Sequence, residues 1–341
     1  MRSLRNTDAV GCWRRDAGSP INAWPLALYL LDPGRGCRAG RSTTSELGGL
    51  GWQTRGREIR DRQLKSEDCL YHTCMTAEND SAPGREKTWE PTIYNRFASQ
   101  REEPFWELAG LLEPADAPRV VDLGCGDGRL TSALHKYLGA SETLGIDSAP
   151  RMLESAAAYA DGSVKFASGD IADWCSTASF DIIFANASLQ WVADHRRVIS
   201  SLKDSLVQGG QMALQVPSNA DHAIYQLANQ LGREWLGDDS PQDTVAMNVL
   251  KPEEYSELLE SLGFRRQHVR LVVYGHHLSS TAQTVEWVKG TSLNRFKGVF
   301  SQADYQRFVE RYLELVISEL GDRSPYFFTF KRILMWASLS E

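Results

Sequence analysis

The chain has 341 residues, 42% hydrophobic and 24% charged, a balance that supports one large globular domain or two modest ones. A formal net charge of -7 argues against a broad nucleic-acid-binding face, and no apolar run reaches the ~18 residues a membrane helix needs. A small-molecule ligand is therefore expected, with neither nucleic acid nor membrane as partner.

Cys12, Cys37, Cys69 and Cys74 fall in the first 74 residues, leaving Cys125 and Cys175 for the remainder, and no metal-type C-x-x-C pair appears. This usage predicts a reducing, cytoplasmic setting and no metal site. Residues 1–74 carry twelve Lys+Arg against eight Asp+Glu, a balance of +4, so the rest carries -7 - 4 = -11. Eleven of those twelve basic residues are arginine, and no helical or strand period runs through the segment. It reads as an extension upstream of a natural start at Met75. Residues 75–88 are polar and expected to be disordered. The leader is thus 1–88 and the folded domain 89–341.

Trp89, Pro91, Tyr94 and Phe97 open that domain, with Tyr94 and Arg96 placed to cover a ligand, and a helix is expected over 102–112 with Pro104 near its first turn. Val120 to Leu123 is then a short apolar strand containing an acid, Asp122, and Gly124, Gly126 and Gly128 follow at alternate positions before the helix 130–138. Glycines allow positive φ and close approach of the backbone to a ligand, and a helix start presents unpaired N–H groups. The loop lacks the Gly-Lys-Ser/Thr of a phosphate loop and the G-x-G-x-x-G of a dinucleotide site. An acid beside glycines suits a cationic ligand instead. Here the stretch resembles the nucleotide-binding motif of class I S-adenosylmethionine-dependent methyltransferases.

The second strand, Thr143 to Asp147, ends in a carboxylate suited to both ribose hydroxyls, and Ser148 is a plausible cap for a helix carrying Met152 toward the adenine side. The third, Val164 to Ala167, leads to Asp170 and Ile171, which suit the adenine amino group and ring, with Asp173 as an alternate acid. The fourth, Phe180 to Ala185, is apolar throughout, as a strand buried on both faces should be, and runs into Asn186, Gln190 and Trp191. Ligands of open α/β sheets sit beyond the carboxyl ends of the strands, so Asn186 is assigned to the cofactor and Gln190 and Trp191 to the substrate. A helix 195–206, a fifth strand 211–216, helices 223–236 and 252–262, an edge strand 264–278, helices 281–290 and 301–320 and a last strand 327–337 complete the pattern. The fold expected is a doubly wound, seven-stranded, mostly parallel sheet with a helical lid over about 281–320.

From Trp89 onward the chain resembles the trans-aconitate 2-methyltransferase family. The carriers are Trp89, Pro91, Tyr94 and Phe97, the run from Phe184 to Trp191 with Asp194 and His195, the set Trp287, Val288, Thr291 and Leu293, and Arg332. The resemblance implies S-adenosylmethionine as cofactor and a small carboxylic acid as acceptor, esterified on a carboxylate. No general acid or base is required, because a carboxylate is ionised at neutral pH. Tyr94, Gln190, Trp191, Arg295 and Arg332 are the substrate-positioning residues so implied, with Lys331 a further cation. One departure is that Asn294 stands where an arginine is expected, with Arg295 a place later. Two other readings are a methyltransferase on another acid or a carrier-bound malonyl thioester, and a cofactor-binding partner without catalysis. His195 is read as structural, and oligomeric state is not legible.

Overall fold

The computed structural model describes residues 98–177 and 179–339. The leader, the start at Met75 and the segment with Trp89, Pro91, Tyr94, Arg96 and Phe97 lie outside the described residues.

Seven strands form one sheet: β1 (Arg119–Leu123), β2 (Glu142–Asp147), β3 (Val164–Ser168), β4 (Phe180–Asn186), β5 (Leu206–Pro217), β6 (Arg266–Leu278) and β7 (Tyr326–Ser338). Their order is β3-β2-β1-β4-β5-β7-β6. The pairs among β1 to β5 are parallel, whereas β7 runs antiparallel between β5 and β6. Strand order reverses between β1 and β4, which makes their carboxyl ends the switch point.

Helices cover both faces. On one face, Phe105 and Leu108 of the helix Ala98–Ala109 and Leu134 of Arg129–Leu138 pack on Val120, Ile182, Phe184, Ala213 and Leu334. On the other, His195–Asp204 and Pro252–Ser261 bury Val198, Leu202, Tyr255 and Leu259 against Val121, Ile183, Leu214 and Ile333. Alternate residues of each strand divide between these cores, so the central strands are apolar on both sides. Each fully buried Leu, Ile or Phe contributes about 1.5–3 kcal/mol.

The last two strands form a ribbon that outruns the sheet. Pro217, where β5 stops, pairs with Arg332, while β6 and β7 continue together to Leu278 and Tyr326. On that overhang, Leu278, Tyr326, Phe328 and Phe330 join a third core with Ile224, Trp287, Phe296 and Phe308. Its helices are Gln283–Lys289, Asn294–Lys297 and Gln302–Leu320, inserted between β6 and β7, together with Ala223–Leu236, which precedes β6. The last of these was not expected to belong to this layer. The Tyr312 hydroxyl ties the layer together by donating to the Ile224 carbonyl at 2.6 Å.

Several boundaries differ from the sequence reading. The first helix starts at Ala98, so Pro104 is inside it rather than in its first turn. Strand β5 begins at Leu206 rather than Gln211, because Gly209, with φ of 75°, bends the strand instead of ending it, and its register with β4 shifts between Phe180 and Ile182. Ser148 is not a cap: the helix Pro150–Ala156 starts from Ala149, whose N–H bonds the Asp147 carboxylate. Phe264 lies fully buried before β6 rather than within it. Among the described residues no helix is long and apolar enough to cross a membrane.

Candidate active site

The loop after β1 is set by its glycines, all three with positive φ: 83° at Gly124, 58° at Gly126 and 75° at Gly128. Their surroundings differ. A Cβ on Gly124 would meet the Ser188 Cβ at 2.2 Å, and one on Gly128 would meet Phe166 at 2.6 Å and Ala156 at 2.8 Å. Gly124 and Gly128 are therefore packing glycines. A Cβ on Gly126 would meet nothing within 4 Å, so the loop's middle is open to an approaching ligand.

Two carboxylates flank this opening. Asp147, at the end of β2, accepts from the Gly126 N–H at 3.0 Å through one oxygen and from the Ala149 N–H at 2.8 Å through the other. Each oxygen keeps a second lone pair, so the carboxylate is oriented without being exhausted. Asp122 is 3% exposed and accepts from the Thr131 hydroxyl at 2.5 Å. Burial pushes its pKa up to about 7; the Thr131 bond opposes this and the neighbouring Asp147 adds to it. The same burial raises the Cys125 thiol far above its ordinary value, which makes it a poor nucleophile.

The remaining cofactor candidates border the same edge. Met152 and Ile171 are both buried, Ile171 within the core below. Asp170 is exposed, and its carboxylate accepts from the Ala172 N–H at 2.9 Å; Asp173 is exposed too. Asn186 ends β4 in register with Gln215, and its Oδ1 is buried with no hydrogen-bond partner among the described residues. An open glycine, two acids and an orphaned amide oxygen fit a cofactor bearing an ammonium, a sulfonium and ribose hydroxyls. Phosphate would be a poor fit there, beside the Asp147 carboxylate and a buried acid.

The loop after β4 presents the acceptor candidates. Ser188 pins it by donating to the Leu123 carbonyl at 2.7 Å. Gln190 is buried, with its amide N–H donating to the Ala187 carbonyl at 2.7 Å and its Oε1 unpartnered; Trp191 is half-buried. Behind them, His195 has both ring nitrogens engaged, one with the Leu189 carbonyl at 2.8 Å and one with the Tyr255 hydroxyl at 2.5 Å. Burial holds its pKa below the ordinary value. This bracing leaves His195 no nitrogen for proton transfer.

The cations fall into three situations. Lys331 pairs with Asp221 at the surface. Arg295 is 13% exposed and lies 3.3 Å from the carboxylate of Asp243, itself 4% exposed, and it donates to the Asn229 side chain at 2.5 Å. Arg332 is 5% exposed at the carboxyl edge of the sheet, 3.3 Å from the Gln215 Oε1 and over the rings of Phe330 and Tyr274. Sequence reasoning missed Gln215, Asp243 and His276, all buried polar side chains.

A seven-stranded sheet with β7 reversed between β5 and β6, and a glycine loop between two acids at the switch point, define a class I S-adenosylmethionine-dependent methyltransferase. Residues 120–210 match the family model described as a methyltransferase domain. The trans-aconitate 2-methyltransferase of Deinococcus radiodurans is 36% identical over 260 residues, 74% of this chain and 99% of that protein. That of Streptomyces avermitilis is 34% identical over 241 residues, 68% of this chain and 89% of that protein. The chain belongs to the trans-aconitate 2-methyltransferase family. The fold is also that of a methyltransferase structure from Bacillus halodurans, with a TM-score of 0.50 at 15% identity, covering 70% of this chain and all of that one.

Proposed function

We propose that the protein esterifies a carboxylate of trans-aconitate, or of a closely related small polycarboxylic acid, with the methyl group of S-adenosylmethionine. The observation that carries this reading is Arg332, a buried guanidinium at the carboxyl edge of the sheet, beside a buried glutamine that is in register with Asn186. Buried arginine is a natural partner for a carboxylate, which it can hold in a bidentate fork. The names of the relatives point to the same acceptor.

In this reading Asp122, Gly124, Gly126, Gly128, Asp147, Met152, Asp170, Ile171 and Asn186 hold the cofactor. When bound, the cofactor supplies an electrophilic methyl on sulfur. The acceptor oxygen would receive that methyl, with the sulfur keeping the electron pair, while the residues above would hold the donor and Arg332 the acceptor. No proton moves, because the carboxylate is already ionised. That is consistent with a His195 that is fully engaged and a Cys125 that is inert. The chain's task is to hold the carboxylate in line, offset its charges and exclude water. Gln190, Trp191 and Tyr94 would shape the approach, with the helical layer over the β6–β7 overhang acting as the lid. Arg295, balanced by Asp243, would brace that layer. The free thiols Cys125 and Cys175 and the net charge of -7 support a cytoplasmic enzyme with a small-molecule partner.

The test is incubation with methyl-labelled cofactor and a panel of mono-, di- and tricarboxylic acids. A base-labile methyl ester of trans-aconitate is expected; no ester from any acid would refute the reading.

A further inference from the structure

Buried polar atoms in proteins are nearly always paired, so the exceptions ask for a cause. Two glutamines of β5 make the comparison. Gln211 accepts from the Trp336 indole at 2.8 Å and from the Glu113 N–H at 2.8 Å, and donates to the Glu113 carbonyl at 3.0 Å. It is a structural glutamine with its needs met. Gln215 lies four residues further on, on the same face and fully buried, yet its Nε2 has no partner among the described residues while its Oε1 faces Arg332.

A second orphan lies along the same face. Val272 pairs with Arg332 and His276 with Phe328, so alternation places Arg332, Phe330, Phe328 and His276 on one side of the β6–β7 ribbon. His276 is 7% exposed, and its Nε2 has no partner among the described residues. Its ring lies 5.1 Å from Trp287, which lies 5.5 Å from Phe330, over which the Arg332 guanidinium sits at 4.7 Å. The positive charge of Arg332 is felt at His276, where it adds to burial in keeping the imidazole neutral. A neutral imidazole with its proton on Nε2 is a donor. An amide N–H₂, a guanidinium and an imidazole N–H thus follow one another from the cofactor edge to beneath the helical layer.

We propose that Gln215 and His276, on either side of Arg332, each donate to a different one of the acceptor carboxylates that are not methylated, and so select polycarboxylic over monocarboxylic acids. This rests on the acid-methyltransferase reading. Each of the three groups donates, none of them carries negative charge, and aromatic rings lie between them, so an anion entering there satisfies the Gln215 and His276 donors.

The experiment uses the full chain with Gln215→Leu, His276→Phe and the conservative His276→Gln. Steady-state methylation is measured with trans-aconitate and with crotonate, a monocarboxylic relative, alongside calorimetric affinity for S-adenosylhomocysteine and the melting temperature. Hydrogen bonds to a charged group are worth about 1.5–3 kcal/mol, so Gln215→Leu and His276→Phe should each raise KM for trans-aconitate about ten- to hundredfold. Crotonate turnover, cofactor affinity and kcat should stay within about twofold, and His276→Gln should recover most of the loss. Melting temperatures should hold or rise, since a buried unpaired donor is removed. Unchanged KM for trans-aconitate, or equal losses on both acids with a fall in melting temperature, would overturn the subsite while leaving the methyltransferase reading intact. If the wild type esterifies no acid, both fall.

Discussion

Asp122→Asn isolates the electrostatics of the cofactor loop. In the folded protein the Asp122 carboxyl has a pKa of about 7, against 3.8 for the ordinary group, so it keeps its proton to neutrality while the unfolded chain gives it up near pH 4. Between those values the folded state binds the extra proton, and stability falls as pH rises. Three pKa units at 1.36 kcal/mol each set the whole effect at about 4 kcal/mol, of which about 2–3 kcal/mol is lost between pH 5 and 8. Asparagine has nearly the same shape, can still accept from the Thr131 hydroxyl, and does not ionise. Urea unfolding of both proteins at pH 5, 6, 7 and 8 should therefore show the variant gaining about 2–3 kcal/mol on the wild type across the range. Parallel pH profiles would refute the assignment of a buried, neutral Asp122. A bound cation beside this carboxyl would favour its ionised form, so cofactor binding by the wild type near pH 7 should release protons and binding by Asp122→Asn should release fewer. Calorimetry in buffers of different ionisation enthalpy reads that number.

Two further outcomes follow from the packing. Gly124→Ala drives a Cβ to 2.2 Å from Ser188 at a φ of 83°, whereas Gly126→Ala meets open space and pays only for its positive φ, about 1–2 kcal/mol; without cofactor the first should melt well below the second, and equal melting temperatures would count against the packing role. Asp243→Leu strands the buried Arg295 charge and should cost about 3–5 kcal/mol in urea unfolding, while Asp243→Leu with Arg295→Met should recover most of it; a single-variant loss below about 1 kcal/mol would show that the pair does not brace the helical layer.

The parallel half of the sheet was legible because its signals are local. Strands β1 to β4 are short apolar runs, and the residues bordering the site, Asp122, Asp147, Asp170 and Asn186, lie within or a few positions after them. The half built on β6 and β7 was not, because its partners are remote. Gln215 meets Arg332 across 117 positions, and Arg295 meets Asp243 across 295 - 243 = 52. Gln211 and Gln215 of β5 share a face, but only the fold shows that one is satisfied and the other is not. Pro104 misled for a related reason: it commonly marks a helix start, yet packing of Phe105 and Leu108 on the sheet maintains a helix that begins six residues earlier.

The reversed strand also sets an order of events during synthesis. β7 is the last of the seven strands to be made, yet it takes an interior position between β5 and β6, separated from β6 by the inserted helices. Strands β1 to β5 can pair as they emerge, so a platform for the cofactor can exist on a partly made chain. Until β7 arrives, β5 keeps an open edge, and the ribbon, the helical layer and Arg332 have no frame. The parallel strands and the ribbon are therefore separated in order of synthesis as well as in space.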